Sequence, residues 1–208
     1  DGEIIRERSV FKRLKSPGDI QEFLDDVRYS TADDYQSPRD VISSCQAHCF
    51  DGALFAAAAL EQLGFPPLIM ELVAVRDDDH LLAVFKHKNC FGAIAKSNFS
   101  GLRFREPVYR SVRELAMSYF EFYFNLAGEK TLRRHSALLH LAQFNKLAWH
   151  TSAANLQRIA DALDGLKHFS LLPQGAPGRL NRIDRRSFAS GIVGANKSGL
   201  VGIARQYK

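Results

Sequence analysis

The sequence predicts an α+β protein, in which helices and strands occupy separate stretches of the chain. Residues 49–63 are strongly helix-forming and almost wholly apolar, which is typical of a helix buried on all sides. Three short strand-like segments follow, and helical patterns lie before and after them. Because the strands are grouped rather than alternating with helices, the order favours α+β over a parallel sheet with crossover helices.

The individual elements are predicted from their periodicity and their end signals. We expect a charged helical arm at 1–13 and helices near 20–27, 49–63, 108–126, 132–149 and 153–166, with strands near 68–75, 81–86 and 91–95. Gly64, followed by two prolines, ends the apolar helix. Pro107 is expected at the first position of the next helix.

Three segments are expected along the chain. Residues 1–128 are a core with an N-terminal helical lead, 129–172 are a helical extension packed on it, and 173–208 are a basic, glycine-containing tail. The formal net charge is +5, but residues 179–208 hold seven Lys and Arg against one Asp, so the rest of the chain is close to neutral. A solvated tail is expected, and contact with nucleic acid or an acidic partner is the alternative.

Composition excludes several classes of protein. With 46% hydrophobic and 25% charged residues, the chain is neither disordered nor low-complexity. No apolar run reaches the roughly 18–20 residues of a membrane span, and no signal peptide is visible in the given sequence. Three cysteines are too few for a disulfide scaffold. The expectation is a cytoplasmic protein with reduced thiols.

Cys49 is the main candidate for chemistry because it opens the apolar helix. The positive end of the helix dipole and the unpaired N–H groups there favour the thiolate form of cysteine. The same N–H groups are suited to stabilise an oxyanion formed when the sulfur attacks a carbonyl. The alternative is a buried cysteine that acts only as a small apolar side chain.

His80, just before the second strand, is the candidate general base and acid, although a structural histidine is the alternative. Asn98 or Ser97, after the third strand, is the candidate to hold the imidazole ring by a hydrogen bond. His48 is a back-up base, and Asp51 is expected to complement the helix dipole.

No cofactor and no metal ion is expected. Asp77, Asp78 and Asp79 precede His80, but consecutive side chains diverge on an extended chain, so a solvated loop is favoured over a cation site.

These residues carry a resemblance to a known family. The stretch 49–66, with Cys, then Asp two residues on, a Leu/Ala helix and a closing Gly and Pro, resembles the cysteine helix of the transglutaminase-like superfamily, which has a papain-like fold. His80 before its strand is similar to that family's histidine strand, and 92–97 resembles the strand that follows. The family's acidic third residue falls at Ser97, and Ala93 replaces its usual aromatic residue. The whole chain also resembles an uncharacterised bacterial branch of that superfamily.

The resemblance implies acyl transfer at an amide or peptide bond. Cys49 is then the nucleophile, His80 the base and acid, Asn98 or Ser97 the orienting residue, and backbone N–H groups near Cys49 the oxyanion hole. Water as acceptor makes the protein an amidase or protease, and an amine makes it an amide transferase. The alternative is a weak or inactive transglutaminase-like binding module, with the basic tail as a contact for nucleic acid or an acidic partner.

Overall fold

The computed structural model describes residues 2–200, apart from the side chains of residues 3–6. It is a mixture of helices and strands, as the sequence predicts. The α-helices in this range are α1 Gly2–Arg13, α2 Pro17–Asp26, α3 Pro38–Ser44, α4 Cys49–Gln62, α5 Val112–Met117, α6 Gln157–Asp164 and α7 Arg185–Gly191. The strands are β1 Arg28–Tyr29, β2 Gln46–Ala47, β3 Leu68–Ala74, β4 His80–His87, β5 Cys90–Ile94, β6 Arg105–Tyr109, β7 Leu132–Ser136, β8 Leu139–His140 and β9 His168–Ser170.

Seven of these strands form one antiparallel sheet around the central pair β3 and β4. The strand order is β6-β5-β4-β3-β7-β9, and β8 pairs with the other end of β3. Leu72 of β3 lies opposite His80, the first residue of β4. The strands β1 and β2 form a separate parallel pair. The start of β4 therefore lies in the middle of the main sheet rather than at its edge.

The helix α4 is buried between the main sheet and two other helices. It packs on β3 and β4 on one side and against α2 and α3 on the other. Leu81, Ala83 and Phe85 of β4 share a core with α4. The alternate side chains Leu82 and Val84 belong to a second core on the opposite face, because successive residues of a strand point to opposite sides.

The predicted cysteine helix and the three predicted strands are confirmed within a residue or two. Gly64 ends the helix with a φ of +87°, a left-handed conformation that favours glycine. The enclosure of α4 explains why it is apolar on all sides: all eleven residues from Phe50 to Leu60, Asp51 and Gly52 included, are buried. The sequence therefore predicts this part of the fold well.

The helix predicted over 132–149 is wrong. This stretch forms β7, β8 and a 3₁₀ turn at Leu141–Leu147, and the following helix is reduced to α6. Both β7 and β8 pair with the edge of β3 that β4 leaves open. Backbone pairing along that edge outweighs the helix propensity of the segment. Residues 129–172 therefore add three strands to the sheet, and their helical part is limited to the 3₁₀ turn and α6.

The helix predicted to begin beside Pro107 is also wrong at its start. Pro107 lies in β6, an edge strand of the sheet, where a residue without an N–H group is tolerated. The helix α5 begins at Val112, and the Ser111 side chain accepts a hydrogen bond from the N–H of Glu114. It ends at Met117, well short of the expected 126.

Residues 173–200 are mostly exposed or half-buried, but their helix α7 contacts the core through one face. The helix α7 is capped by Asp184, and its Phe188 ring lies 5.3 Å from the Phe124 ring, centroid to centroid. A Cβ added to Gly191 would lie 2.4 Å from a Phe124 ring atom, so the helix touches that ring closely. Residues 201–208, with part of the basic charge, lie outside the described residues.

None of the helices in residues 2–200 has the length and apolar character needed to cross a membrane.

Candidate active site

Cys49 is the first residue of α4, and hydrogen bonds made by the side chains of His48 and Asp51 fix the start of that helix. The Nδ1 atom of His48 accepts a hydrogen bond from the N–H of Phe50 at 3.1 Å. The Asp51 carboxylate in turn accepts one from the N–H of His48 at 3.2 Å. This reciprocal cap satisfies two backbone donors of the first turn and holds the cysteine at a defined point. His48 must carry its proton on Nε2, because its Nδ1 is an acceptor.

Asp51 also attaches the preceding loop to the helix. Its side chain is fully buried, and its second oxygen accepts a hydrogen bond from the N–H of Gln36 at 2.8 Å. The expected role of Asp51 at the helix start is confirmed. Burial raises the pKa of this carboxyl, while His48 and the two N–H groups act in the opposite direction.

The environment of the Cys49 sulfur favours the neutral thiol. The Sγ atom lies 3.8 Å from the carbonyl oxygen of Asp79, to which the thiol donates. Burial raises the pKa of this thiol to about 12, and the negative charges of Asp51 and Asp78 act in the same direction. Backbone N–H groups of Leu81 and Phe50 oppose the rise but do not reverse it. Desolvation therefore opposes the thiolate that the helix dipole favours, although Cys49 as a whole is only half-buried.

The His80 side chain is buried, and a backbone carbonyl defines its tautomer. Its Nε2 atom lies 2.8 Å from the carbonyl oxygen of Leu102. A carbonyl can only accept a hydrogen bond, so Nε2 carries the proton and Nδ1 is the basic nitrogen. Burial lowers the pKa of His80 to about 4; the bond to Leu102 partly opposes this, and the charge of Arg105 adds to it. The imidazole is neutral at neutral pH.

Cys49 and His80 line the same cavity, which has a volume of about 430 Å³. The thiol touches the backbone at Asp79, the residue before His80. Among the described residues, however, no hydrogen bond joins the thiol to the imidazole ring. The two groups therefore share one cavity, and each makes its hydrogen bond to a backbone carbonyl instead of to the other.

Ser97 and Asn98 also line this cavity, but each has a partner other than His80. The Ser97 hydroxyl accepts a hydrogen bond from the N–H of Phe99 at 3.0 Å. The Asn98 amide bonds to the backbone of Asn196, with its Oδ1 atom accepting at 2.7 Å and its Nδ2 atom donating at 3.0 Å. The ring of His80 is thus held by the carbonyl of Leu102, where sequence reasoning expected Asn98 or Ser97. A backbone carbonyl has no side-chain signature, so the sequence offers no signal for this contact.

Lys96 lies two residues beyond β5, one residue before Ser97, and its side chain contacts both α2 and α4. Its buried ammonium donates to the carbonyl oxygens of Leu24, at 2.7 Å, and Val27 at the C-terminal end of α2. Burial lowers its pKa to about 8, and Asp25 partly opposes the shift. Gly52 of α4 lies against its stem, since a Cβ there would lie 2.3 Å from the Cβ of Lys96. These contacts position the start of α4 against the end of β5.

The acidic loop beside the cavity is largely exposed, as expected, with Asp78 and Asp79 at the surface and Asp77 half-buried. The Asp77 carboxylate accepts a hydrogen bond from the Thr131 hydroxyl at 2.6 Å, and that of Asp79 accepts one from the N–H of Ala74 at 2.7 Å. Burial raises the pKa of both carboxyls to about 6. Because the side chains diverge to these separate partners, they do not converge on one point. Among residues 2–200, no group of three His, Cys, Asp or Glu side chains is arranged to hold a metal ion.

Comparison with known proteins gives limited likenesses. No protein-family model matches the chain, and no curated protein matches it. Among solved structures, the chain is similar to Legionella pneumophila LapG, with 16% identity and a TM-score of 0.37 over 46% of this chain and 63% of that one. An EGTA-treated LapG structure matches with 17% identity and a TM-score of 0.37 over 46% and 61% of the two chains. The chain thus spans less than two thirds of these structures. The chemical interpretation of the site therefore depends on the contacts and distances of this chain's own residues.

Proposed function

We propose that this protein is a cysteine acyl-transfer enzyme with a transglutaminase-like, papain-like arrangement of its core. The observation that carries the proposal is the pairing of Cys49, at the start of α4, with His80, at the start of β4, around one cavity. The hydrogen bond from His80 Nε2 to the carbonyl of Leu102 adds to it, since it leaves Nδ1 as a base. The substrate class is a peptide or another amide, and the proposed location is the cytoplasm.

The proposed reaction begins from the neutral pair. As the Cys49 sulfur bonds to the substrate carbonyl carbon, its proton moves to Nδ1 of His80 and the carbonyl electron pair moves to oxygen. Collapse of this intermediate breaks the C–N bond, and the leaving amine takes the proton from Nδ1. Water or an amine then attacks the thioester and restores the thiol. Because both groups start uncharged, proton transfer accompanies the attack instead of preceding it.

Backbone groups take two roles in this proposal. The carbonyl of Leu102 orients the ring and stabilises the imidazolium, as a carboxylate or amide does in other cysteine and serine enzymes. A neutral carbonyl stabilises the positive ring less than a carboxylate does. The N–H groups at the start of α4 are the proposed donors to the oxyanion. Ser97 and Asn98 are assigned no part in the proton transfer.

A second candidate function is a non-catalytic binding module on the same core. The raised thiol pKa and the lack of a hydrogen bond between thiol and ring in the described residues favour it. In this alternative the cavity binds a peptide without cleaving it. Contact of the C-terminal residues with nucleic acid remains a prediction from the charge pattern.

Acylation by p-nitrophenyl acetate, a generic acyl donor, separates these two functions. We expect Cys49 to form a thioester, seen by peptide mass spectrometry, and His80→Asn to slow its formation by roughly 100-fold or more, as loss of a general base does. Cys90→Ser is the matched control and should leave the rate unchanged. Equal acylation rates in the His80→Asn variant and the wild type would overturn the role of His80, and no acylation at Cys49 would favour the binding module. Added amine shows whether the thioester prefers an amine to water.

A further inference from the structure

The chain beyond α7 returns to the cavity that contains Cys49. After Gly191 the backbone runs to Asn196 and then makes a short 3₁₀ turn at Lys197–Gly199. Gly199 is one of the residues that line the cavity, together with Cys49 and His80. A segment that is far from the site in sequence thus forms part of its wall.

The Asn98 side chain binds this segment through its backbone alone. Its Oδ1 atom accepts from the N–H of Asn196 at 2.7 Å, and its Nδ2 atom donates to the carbonyl of the same residue at 3.0 Å. Asn196 is extended, with φ −68° and ψ 110°, so the amide pairs with it as a neighbouring strand would. Asn98 is only 7% exposed, which keeps water from competing for these two bonds. Recognition of this kind does not depend on the side chain of the bound residue.

Tyr29 completes the contact and selects for a small residue. Its carbonyl oxygen accepts a hydrogen bond from Nδ2 of Asn196 at 3.1 Å. A Cβ added to Gly199 would lie 3.0 Å from Nδ2 of Asn98 and 3.1 Å from the Tyr29 ring. The slot between Asn98 and Tyr29 therefore accepts glycine more readily than a larger residue. Asn196 also stabilises the turn that brings Gly199 there, since its Oδ1 atom accepts from the hydroxyl of Ser198 at 2.7 Å.

We infer that Asn98 and Tyr29 form a peptide subsite of the Cys49 cavity, and that residues 196–199 of this chain occupy it as an internal ligand. The inference rests on the proposed function, because the subsite binds substrate only if the protein is such an enzyme. It adds the substrate class: an extended peptide that turns at a glycine. The C-terminal segment then competes with that peptide for the same place. Its displacement opens the cavity to substrate.

The test measures how fast iodoacetamide alkylates Cys49 in the full-length protein, by mass spectrometry of the peptide that contains it. Gly199→Val places a branched side chain in the slot. Asn98→Asp keeps the acceptor for the N–H of Asn196 but turns an oxygen toward its carbonyl. Either change should displace the segment and speed alkylation about tenfold, the effect of losing one or two hydrogen bonds. Gly178→Val is the matched control, since a Cβ there meets nothing within 4 Å.

Two further measurements keep the result specific. Alkylation of Cys90 in the same samples reports general opening of the fold, and it should stay at the wild-type rate. A synthetic peptide with the sequence of residues 194–200, at millimolar concentration, should slow alkylation of Gly199→Val again, whereas a scrambled peptide should not. Equal Cys49 rates in all proteins, or no protection by the peptide, would overturn the inference. Failure of acylation by p-nitrophenyl acetate counts against the proposed function alone, because alkylation needs no catalysis.

Discussion

The neutral state of Cys49 leads to a quantitative prediction for its reactivity toward a small disulfide such as hydroxyethyl disulfide. Burial raises the pKa of this thiol from 9.0 to about 12. At about pH 8 this lowers the thiolate fraction roughly 900-fold relative to an ordinary cysteine. A more basic thiolate is a better nucleophile, which recovers roughly 20-fold at a Brønsted coefficient near 0.45. Cys49 should therefore react about 40-fold more slowly than a free thiol at that pH, before any steric shielding is added.

The pH dependence separates this chemical effect from shielding. For Cys49 the logarithm of the rate should rise with a slope near one from about pH 7 to pH 10, because the thiol is still protonated throughout that range. Glutathione, measured beside it, should flatten as it passes its own pKa. The His80→Asn variant should keep the same slope, since the ring it removes is uncharged at these pH values. A plateau between about pH 6 and pH 8, lost in His80→Asn, would show a thiolate–imidazolium pair and refute the neutral state.

Two further predictions concern stability. Gly52→Ala should lower the free energy of unfolding by about 1–3 kcal/mol, since its Cβ would lie 2.3 Å from that of Lys96, whereas Gly18→Ala, whose Cβ meets only a hydroxyl at 3.6 Å, should be neutral or stabilising. Urea unfolding measures both, and a Gly52→Ala protein as stable as the wild type would contradict the close approach of α4 to β5. The second prediction is that His80→Asn removes a destabilising contribution to the free energy of unfolding, one that grows as the pH falls. The pKa of buried His80 drops from 6.5 to about 4, so the unfolded chain binds more protons in that window and folding weakens there by up to about 3 kcal/mol. Asp77 and Asp79 act in the opposite sense, because the pKa of each is raised to about 6. The test is therefore the difference between variant and wild type in urea unfolding at about pH 7 and pH 4.5, and a difference that does not change with pH would contradict a buried neutral ring.

The parts of the fold that the sequence predicts are those with strong local signals. The helix α4 has a run of alanines and leucines and a glycine at its end, and β3, β4 and β5 are short apolar runs. The strand β7 lacks such a run: it reads Leu-Arg-Arg-His-Ser and is set by the open edge of β3, to which it pairs. A partner on another part of the chain leaves no periodicity in the strand itself. The folding of α7 against Phe124 is missed for the same reason.

The candidate site divides in the same way, into local signals and contacts made at a distance. Cys49 and His80 are visible in the sequence because each opens a regular element, but their protonation states depend on burial, which no local pattern reports. The chain after β5 directs its side chains away from His80: Lys96 binds the last carbonyls of α2, and Asn98 binds the backbone of Asn196. The carbonyl of Leu102, in the next turn of the chain, is then the group that holds the His80 ring. Under the proposed function, a neutral carbonyl holds the orientation of the ring, and desolvation is the largest cause both of the low pKa of His80 and of the high pKa of Cys49.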